Sequence, residues 1–167
     1  MIFSLKRLLE LFKSIWNPVT KQNNRLIFFH TAVQALGTDA SPNDIVPDEL
    51  GCAETINDIH KKAFGFPIGG DVSTYRMYAA LKNSTFFKRV GEPLEGRILI
   101  SPTGYGKIDI MSGHVGIVGE MSSDGTLKVM TNDSFTGKFI DTRYSIKTWK
   151  KRWADKGKYP MWFFDRI

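Results

Sequence analysis

Cysteine is almost absent from this sequence: Cys52 is the one thiol among 167 residues. A lone cysteine excludes an intramolecular disulfide. It also excludes the zinc ribbons and fingers that need at least two thiolates at short spacing. No stretch approaches the roughly 18 uninterrupted apolar residues of a membrane span. Internal repeats and low-complexity linkers are missing too. What is present suits one folded domain: 42% of residues are hydrophobic, the mean hydropathy is −0.21, and the length is close to the prior of about 150 residues per domain. Lys and Arg outnumber Asp and Glu by 23 to 17, leaving +6. That moderate excess favours anionic surroundings without naming them.

The chain divides into an extension, residues 1–22, and a domain, residues 23–167. Within Met1 to Trp16, the apolar residues Leu5, Leu8, Leu9, Phe12, Ile15 and Trp16 recur at spacings of three and four, which collects them on one face of a helix. Such a helix packs on its own domain, on a partner protein or on a membrane surface. Charges at Lys6, Arg7, Glu10 and Lys13 interrupt any secretory apolar core, and no small-residue cleavage site follows. The expectation is therefore a protein without a signal peptide.

Helices come first in the domain. The pattern predicts one from about Asn24 to Leu36, anchored by Leu26, Ile27, Val33 and Leu36 and stopped by Gly37. A turn-rich loop follows from Thr38 to Asp48. Further helices are expected from about Gly51 to Ala63, burying Ala53, Ile56 and Ile59, and from Ser73 to Lys82, presenting Tyr75, Met77, Tyr78 and Leu81 behind a Ser or Thr cap. After Pro93 the period changes to that of strands at Ile98–Ile100, His114–Val118, Leu127–Thr131 and Trp162–Phe164, with a hairpin turn at Ser123-Asp124-Gly125 and one more helix from about Ile146 to Trp153. Grouped helices followed by mostly sequential strands imply an α+β fold with a central antiparallel sheet.

Three residues carry the candidate chemistry. Cys52 stands at the expected start of a helix, where unpaired N–H groups and the helix dipole favour negative charge and so lower a thiol pKa. Of three histidines, His60 lies eight residues further along the same helix, about 12 Å away at 1.5 Å per residue. His30 reads as a packed or exposed side chain. His114 opens the apolar strand Gly113-His114-Val115-Gly116-Ile117-Val118, whose glycines leave room for another element or a substrate. Asn132 ends the next strand and is placed to orient the imidazole, as Asn or Asp does in cysteine-nucleophile triads. Asp133, one residue on, would point to the other face. The flanking loops offer Gly113, Tyr105 and Asp133 as candidates for substrate contact.

A helix-borne Cys, then Gly-His-Val-Gly-Ile-Val opening a strand, then a strand ending in Asn resembles the papain-like cell-wall hydrolases of the CHAP and NlpC types. The likeness spans about Leu26 to Ile167. It takes in Val90 to Ile100, which looks like the approach to the family's first central strand, and Leu36 to Glu54, which looks like that of small phage-encoded members. The order Cys before His resembles the cell-wall branch rather than the circularly permuted lipid-acting one. Two departures stand out. Gly96-Arg97 occupies the place of a usual Gly-Asp, and Met130 that of a glutamate common two residues before the asparagine.

The resemblance implies a papain-like fold and a peptidoglycan amidase or endopeptidase that needs no cofactor and no metal. Cys52 would attack an amide carbon, His114 would carry the proton, and Asn132 would orient the ring. The N–H of Cys52 would serve as one oxyanion donor, with the second sought near Asp48-Glu49. Without a signal peptide, such an enzyme would reside in a phage virion or a host cytoplasm and reach the periplasm or cell wall by another route. The alternative is a non-enzymatic virion or interaction protein that keeps the fold and docks through residues 1–16.

Two other motifs have plainer readings. Gly104-Tyr105-Gly106-Lys107 lacks the spacing of a phosphate loop. The basic, aromatic stretch from Lys138 to Lys158 reads as an amphipathic helix with Ile146, Trp149 and Trp153 facing the core. Attraction to an anionic envelope comes next, and nucleic acid is the weakest reading of it.

Overall fold

Strands form where β-branched and aromatic residues alternate between glycine and proline boundaries. They are Phe87–Val90 (β1), Ile98–Ser101 (β2), His114–Met121 (β3), Leu127–Asp133 (β4), Lys138–Ser145 (β5) and Trp162–Arg166 (β6). The computed structural model describes residues 24–41, 51–106 and 112–167. The expected amphipathic helix of residues 1–16 and the Asp48-Glu49 donor loop lie outside them. The strands pair antiparallel in the order β1-β6-β2-β3-β4-β5, so the expectation of an α+β fold with an antiparallel sheet holds.

Among the described residues three helices cover one face: 24–34 (α1), Gly51–Phe64 (α2) and Thr74–Asn83 (α3). Ser73 caps α3 as expected, its side chain accepting from the N–H of Arg76. The core on this side joins Phe28, Ala32, Cys52, Ile56, Ile59, Met77 and Leu81 to Ile98, Ile100, Val115, Ile117, Met130 and Phe139. Across α1 and the turn that follows it the buried set is Phe28, Phe29, Ala32 and Ala35, whereas Ile27 is exposed and Leu26, Val33 and Leu36 are only partly buried. The apolar stripe is thus rotated from the expected one, because two phenylalanines bury more surface than the aliphatic residues beside them.

The opposite face carries a smaller core of Leu99, Val118, Val129, Trp149, Trp153, Tyr159 and Phe163. It is closed by a short helix, Ile146–Trp149 (α4), capped by Ser145 and Thr148, which continues as a π-helical turn over Lys150–Lys156. The wider turn keeps Trp149 and Trp153 together, their ring centroids 4.3 Å apart. The lysines and Arg152 of this segment face outward, which is the amphipathic arrangement expected from its sequence.

Other local expectations resolve at single residues. Arg97 pairs with Asp165 of β6 at 3.2 Å and donates to the Glu92 carbonyl. Gly116 leaves no vacancy for a substrate: a Cβ there would lie 2.7 Å from Val129 Cγ1 and 2.8 Å from the Met130 carbonyl oxygen. The room that the strand glycines create is filled by β4. Among the described residues no helix is long and apolar enough to cross a membrane.

Candidate functional site

Cys52 is the second residue of α2, so its own N–H and that of Ala53 have no carbonyl one turn back to bond. Both act on the sulfur, and so does the N–H of Val115 on β3. That third N–H belongs to the peptide joining His114 to Val115. The thiol therefore lies against the backbone of the residue expected to be its base. Burial outweighs all three donors: the side chain is 5% exposed, and desolvation pushes the thiol up to about 11. The lowered pKa expected from the helix start is thus overturned, since a helix end lowers a thiol pKa only where the thiolate is not stripped of water.

The imidazole of His114 faces the other way. Residues on a strand alternate between faces, and Val115 and Ile117 belong to the helix-side core while Val118 belongs to the opposite one. The ring stacks nearly parallel on Trp153 at 5.0 Å and 7°, lies 5.2 Å from Trp149, and meets Tyr144 edge-on at 6.0 Å. Burial among these rings, then the charges of Arg152 and Arg143, lower it to about 3. Its Nε2 lies 3.0 Å from Thr131 Oγ1. Among the described residues no hydrogen bond joins the ring to the thiol, so the structure brings Cys52 to the His114–Val115 peptide and not to the imidazole.

Asn132 is not the residue that orients the ring. It pairs with Phe139 of β5, whose side chain is in the helix-side core, and it shares that face with Met130 two residues before it. Thr131 holds the position expected of Asn132, because the registers Ile117↔Met130 and Val118↔Val129 put it on the same side as His114. The sequence signal was the alternation itself: apolar Met130 marks one phase, and Val129 with Thr131 the other.

Asp133 is buried and committed. Its carboxylate pairs with Arg143 and accepts from the Thr136 hydroxyl at 2.9 Å, while its carbonyl accepts from the N–H of Gly137 at 2.8 Å. It closes the β4–β5 turn and is not open to a substrate.

Beside the thiol is a cavity of about 300 Å³, lined by Cys52, Val72, Ser73, Thr74, Tyr75, Thr103, Ser112 and Gly113. Its walls are tied together by hydroxyls. The N–H of Thr103 donates to Thr74 Oγ1 at 3.1 Å, and the N–H of Gly113 donates to Thr103 Oγ1 at 3.0 Å. Gly113 is irreplaceable there, because a Cβ would lie 2.1 Å from the Thr103 nitrogen. Tyr105 does not line the cavity. It stacks on Tyr75 at 6.0 Å and sits edge-on to Trp162 at 5.1 Å, flanking the rim with Tyr75 53% and itself 40% exposed. Thr74 and Thr103 were not singled out from sequence, since hydroxyl residues in loops and caps carry no distinguishing pattern, and Tyr75, expected among the apolar residues of its helix, is instead exposed beside the cavity.

Among the described residues no group of three His, Cys, Asp or Glu is placed to hold a metal ion. The chain matches no family model, and neither the curated proteins nor the solved structures contain a significant match to it.

Proposed function

We propose that this chain is a papain-like thiol hydrolase of peptidoglycan, an amidase or endopeptidase, with Cys52 as its nucleophile. One observation carries the reading: Cys52 sits in the first turn of α2, packed with Val115 of β3, and borders a cavity of about 300 Å³. The unpaired N–H groups of a helix start suit an oxyanion that forms as an amide carbonyl is attacked, where losing one donor typically costs about 10²–10³ in rate.

In the reaction the thiol proton passes to the His114 imidazole, and the sulfur bonds to the amide carbon. The carbon–nitrogen bond then breaks as the imidazolium returns the proton to the leaving amine. Water, deprotonated by the same ring, attacks the thioester, releasing a carboxylic acid and restoring the thiol. The substrate lies in the cell wall, so delivery from a virion or a host cytoplasm is part of the proposal.

The resting geometry is silent. Moving a proton from a thiol at about 11 to an imidazole at about 3 costs on the order of 10 kcal/mol. Productive chemistry requires the two side chains, which lie on opposite faces of β3, to meet, and so requires the start of β3 to rearrange when substrate binds. A turn about the single Cys52 side-chain torsion does not carry the sulfur around the strand, and the ring is held by Thr131 and two indoles. His114 is the first residue of β3 and follows Gly113, which has no side chain. Hydrogen bonds of this kind are often long in ligand-free sites and tighten when substrate binds.

Release of soluble fragments from purified peptidoglycan, followed by mass spectrometry, tests the proposal. The wild-type chain should release fragments ending in a newly freed amine or carboxylate, and Cys52→Ala should release none. Equal release by both, or none by the wild type, overturns it. The separation of thiol from imidazole, both neutral at rest, favours a second reading: a non-enzymatic interaction protein that keeps the fold. The second outcome of the same experiment supports that reading.

A further inference from the structure

We infer that Thr131 fixes the protonation of His114, holding the proton on Nε2 and leaving Nδ1 as the only ring atom able to accept one. Thr131 Oγ1 has two neighbours, the Val115 carbonyl oxygen at 2.7 Å and His114 Nε2 at 3.0 Å. A hydroxyl carries one proton, and a carbonyl oxygen can only accept. The Thr131 proton therefore goes to Val115, and the hydroxyl turns a lone pair toward the ring. Nε2 must be the donor.

The reverse tautomer would set two lone pairs against each other, either at Oγ1 and the Val115 carbonyl or at Oγ1 and Nε2. In so buried a place that leaves a polar group unpaired, at a cost of about 1–3 kcal/mol. Thr131 is completely buried, so water does not offer a substitute partner. The near-parallel Trp153 ring keeps the imidazole from tilting out of the bond. Nε2–H donates to Thr131 in the neutral ring and in the imidazolium alike, so a proton can arrive at and leave Nδ1 without rearranging Nε2.

Thr131 is thus a positioning residue, and its effect on rate rests on the hydrolase reading above; the tautomer does not. The test is nitrogen NMR of the full chain with labelled histidine at pH 7, alongside kinetics of peptidoglycan cleavage. The wild type should show His114 wholly as the Nε2–H form. Thr131→Val should populate the Nδ1–H form and lower kcat at least tenfold with KM little changed. Thr131→Ser should restore both, and Asn132→Ala should leave the tautomer as in the wild type. An Nδ1–H ring in the wild type overturns the inference even if Thr131→Val fails to fold. So does a tautomer that follows Asn132 in place of Thr131. A wild-type chain with the Nε2–H ring and no cleavage defeats the hydrolase reading alone.

Discussion

The indole of Trp153 lies 5.0 Å from the imidazole of His114 and within 7° of parallel to it. This contact joins a strand start to a π-helical turn, and it removes from water a side chain that would otherwise titrate near neutrality. Desolvation is the first cause of the low His114 pKa, ahead of the two arginines. Trp153→Leu should therefore raise the His114 pKa from about 3 toward 6.5, read by NMR titration. A value that stays near 3 would assign the shift to Arg143 and Arg152. The lost indole should cost about 3 kcal/mol in stability.

Cys52, as the one cysteine, makes thiol chemistry easy to follow. With its pKa pushed up to about 11, alkylation by iodoacetamide should be slow at pH 7 and rise about tenfold per pH unit up to pH 10, since only the thiolate reacts. A plateau near pH 7 would show the thiol to be activated at rest.

His60 gives the fold an acid sensitivity of its own. It is buried among Phe28, Phe64, Phe66 and Phe87, with Nδ1 2.7 Å from the Phe66 carbonyl oxygen, and burial lowers it from 6.5 to about 4. Between those values the unfolded chain binds a proton that the folded chain refuses. Stability is therefore full above pH 6.5 and falls as the pH drops to 4, by roughly 3 kcal/mol from this residue. His114 acts in the same direction and extends the loss to about pH 3. Urea midpoints measured from pH 7 to 3 should fall, and His60→Phe should flatten the part above pH 4. An unchanged slope in that variant would place the sensitivity elsewhere.

Gly113→Ala should destabilise the domain by about 3 kcal/mol, the upper part of the range for overpacking. The added methyl group meets the backbone of Pro102 and Thr103 at 2.5 Å or less, and backbone cannot swing aside as a flexible side chain can. Gly125→Ala offers a contrast, since nothing lies within 4 Å of a Cβ there and its positive φ is the only penalty. Thermal melts of the two variants should separate a packing clash from turn strain. Equal losses would count against the clash.

Local pattern determined a good deal of this protein. The four strands expected from alternation are four of the six strands of the sheet, and the helix start at Thr74 follows from the Ser73 cap, which acts within one turn. The two strands that went unrecognised, β1 and β5, are the two edges. An edge strand has one side open to solvent and carries charges such as Lys88, Arg89, Asp141 and Arg143, which erase the apolar rhythm. That Cys52 begins a helix and His114 a strand was also legible.

Which way those side chains point was left to the tertiary structure. A strand gives its residues two faces, and only pairing with β2 and β4, together with the packing of α2 on one side and Trp149 and Trp153 on the other, decides which face each one takes. One residue of phase separates Asn132 from Thr131. Sequence spacing fixes the alternation but not its origin, and the origin is set by which face buries more apolar surface.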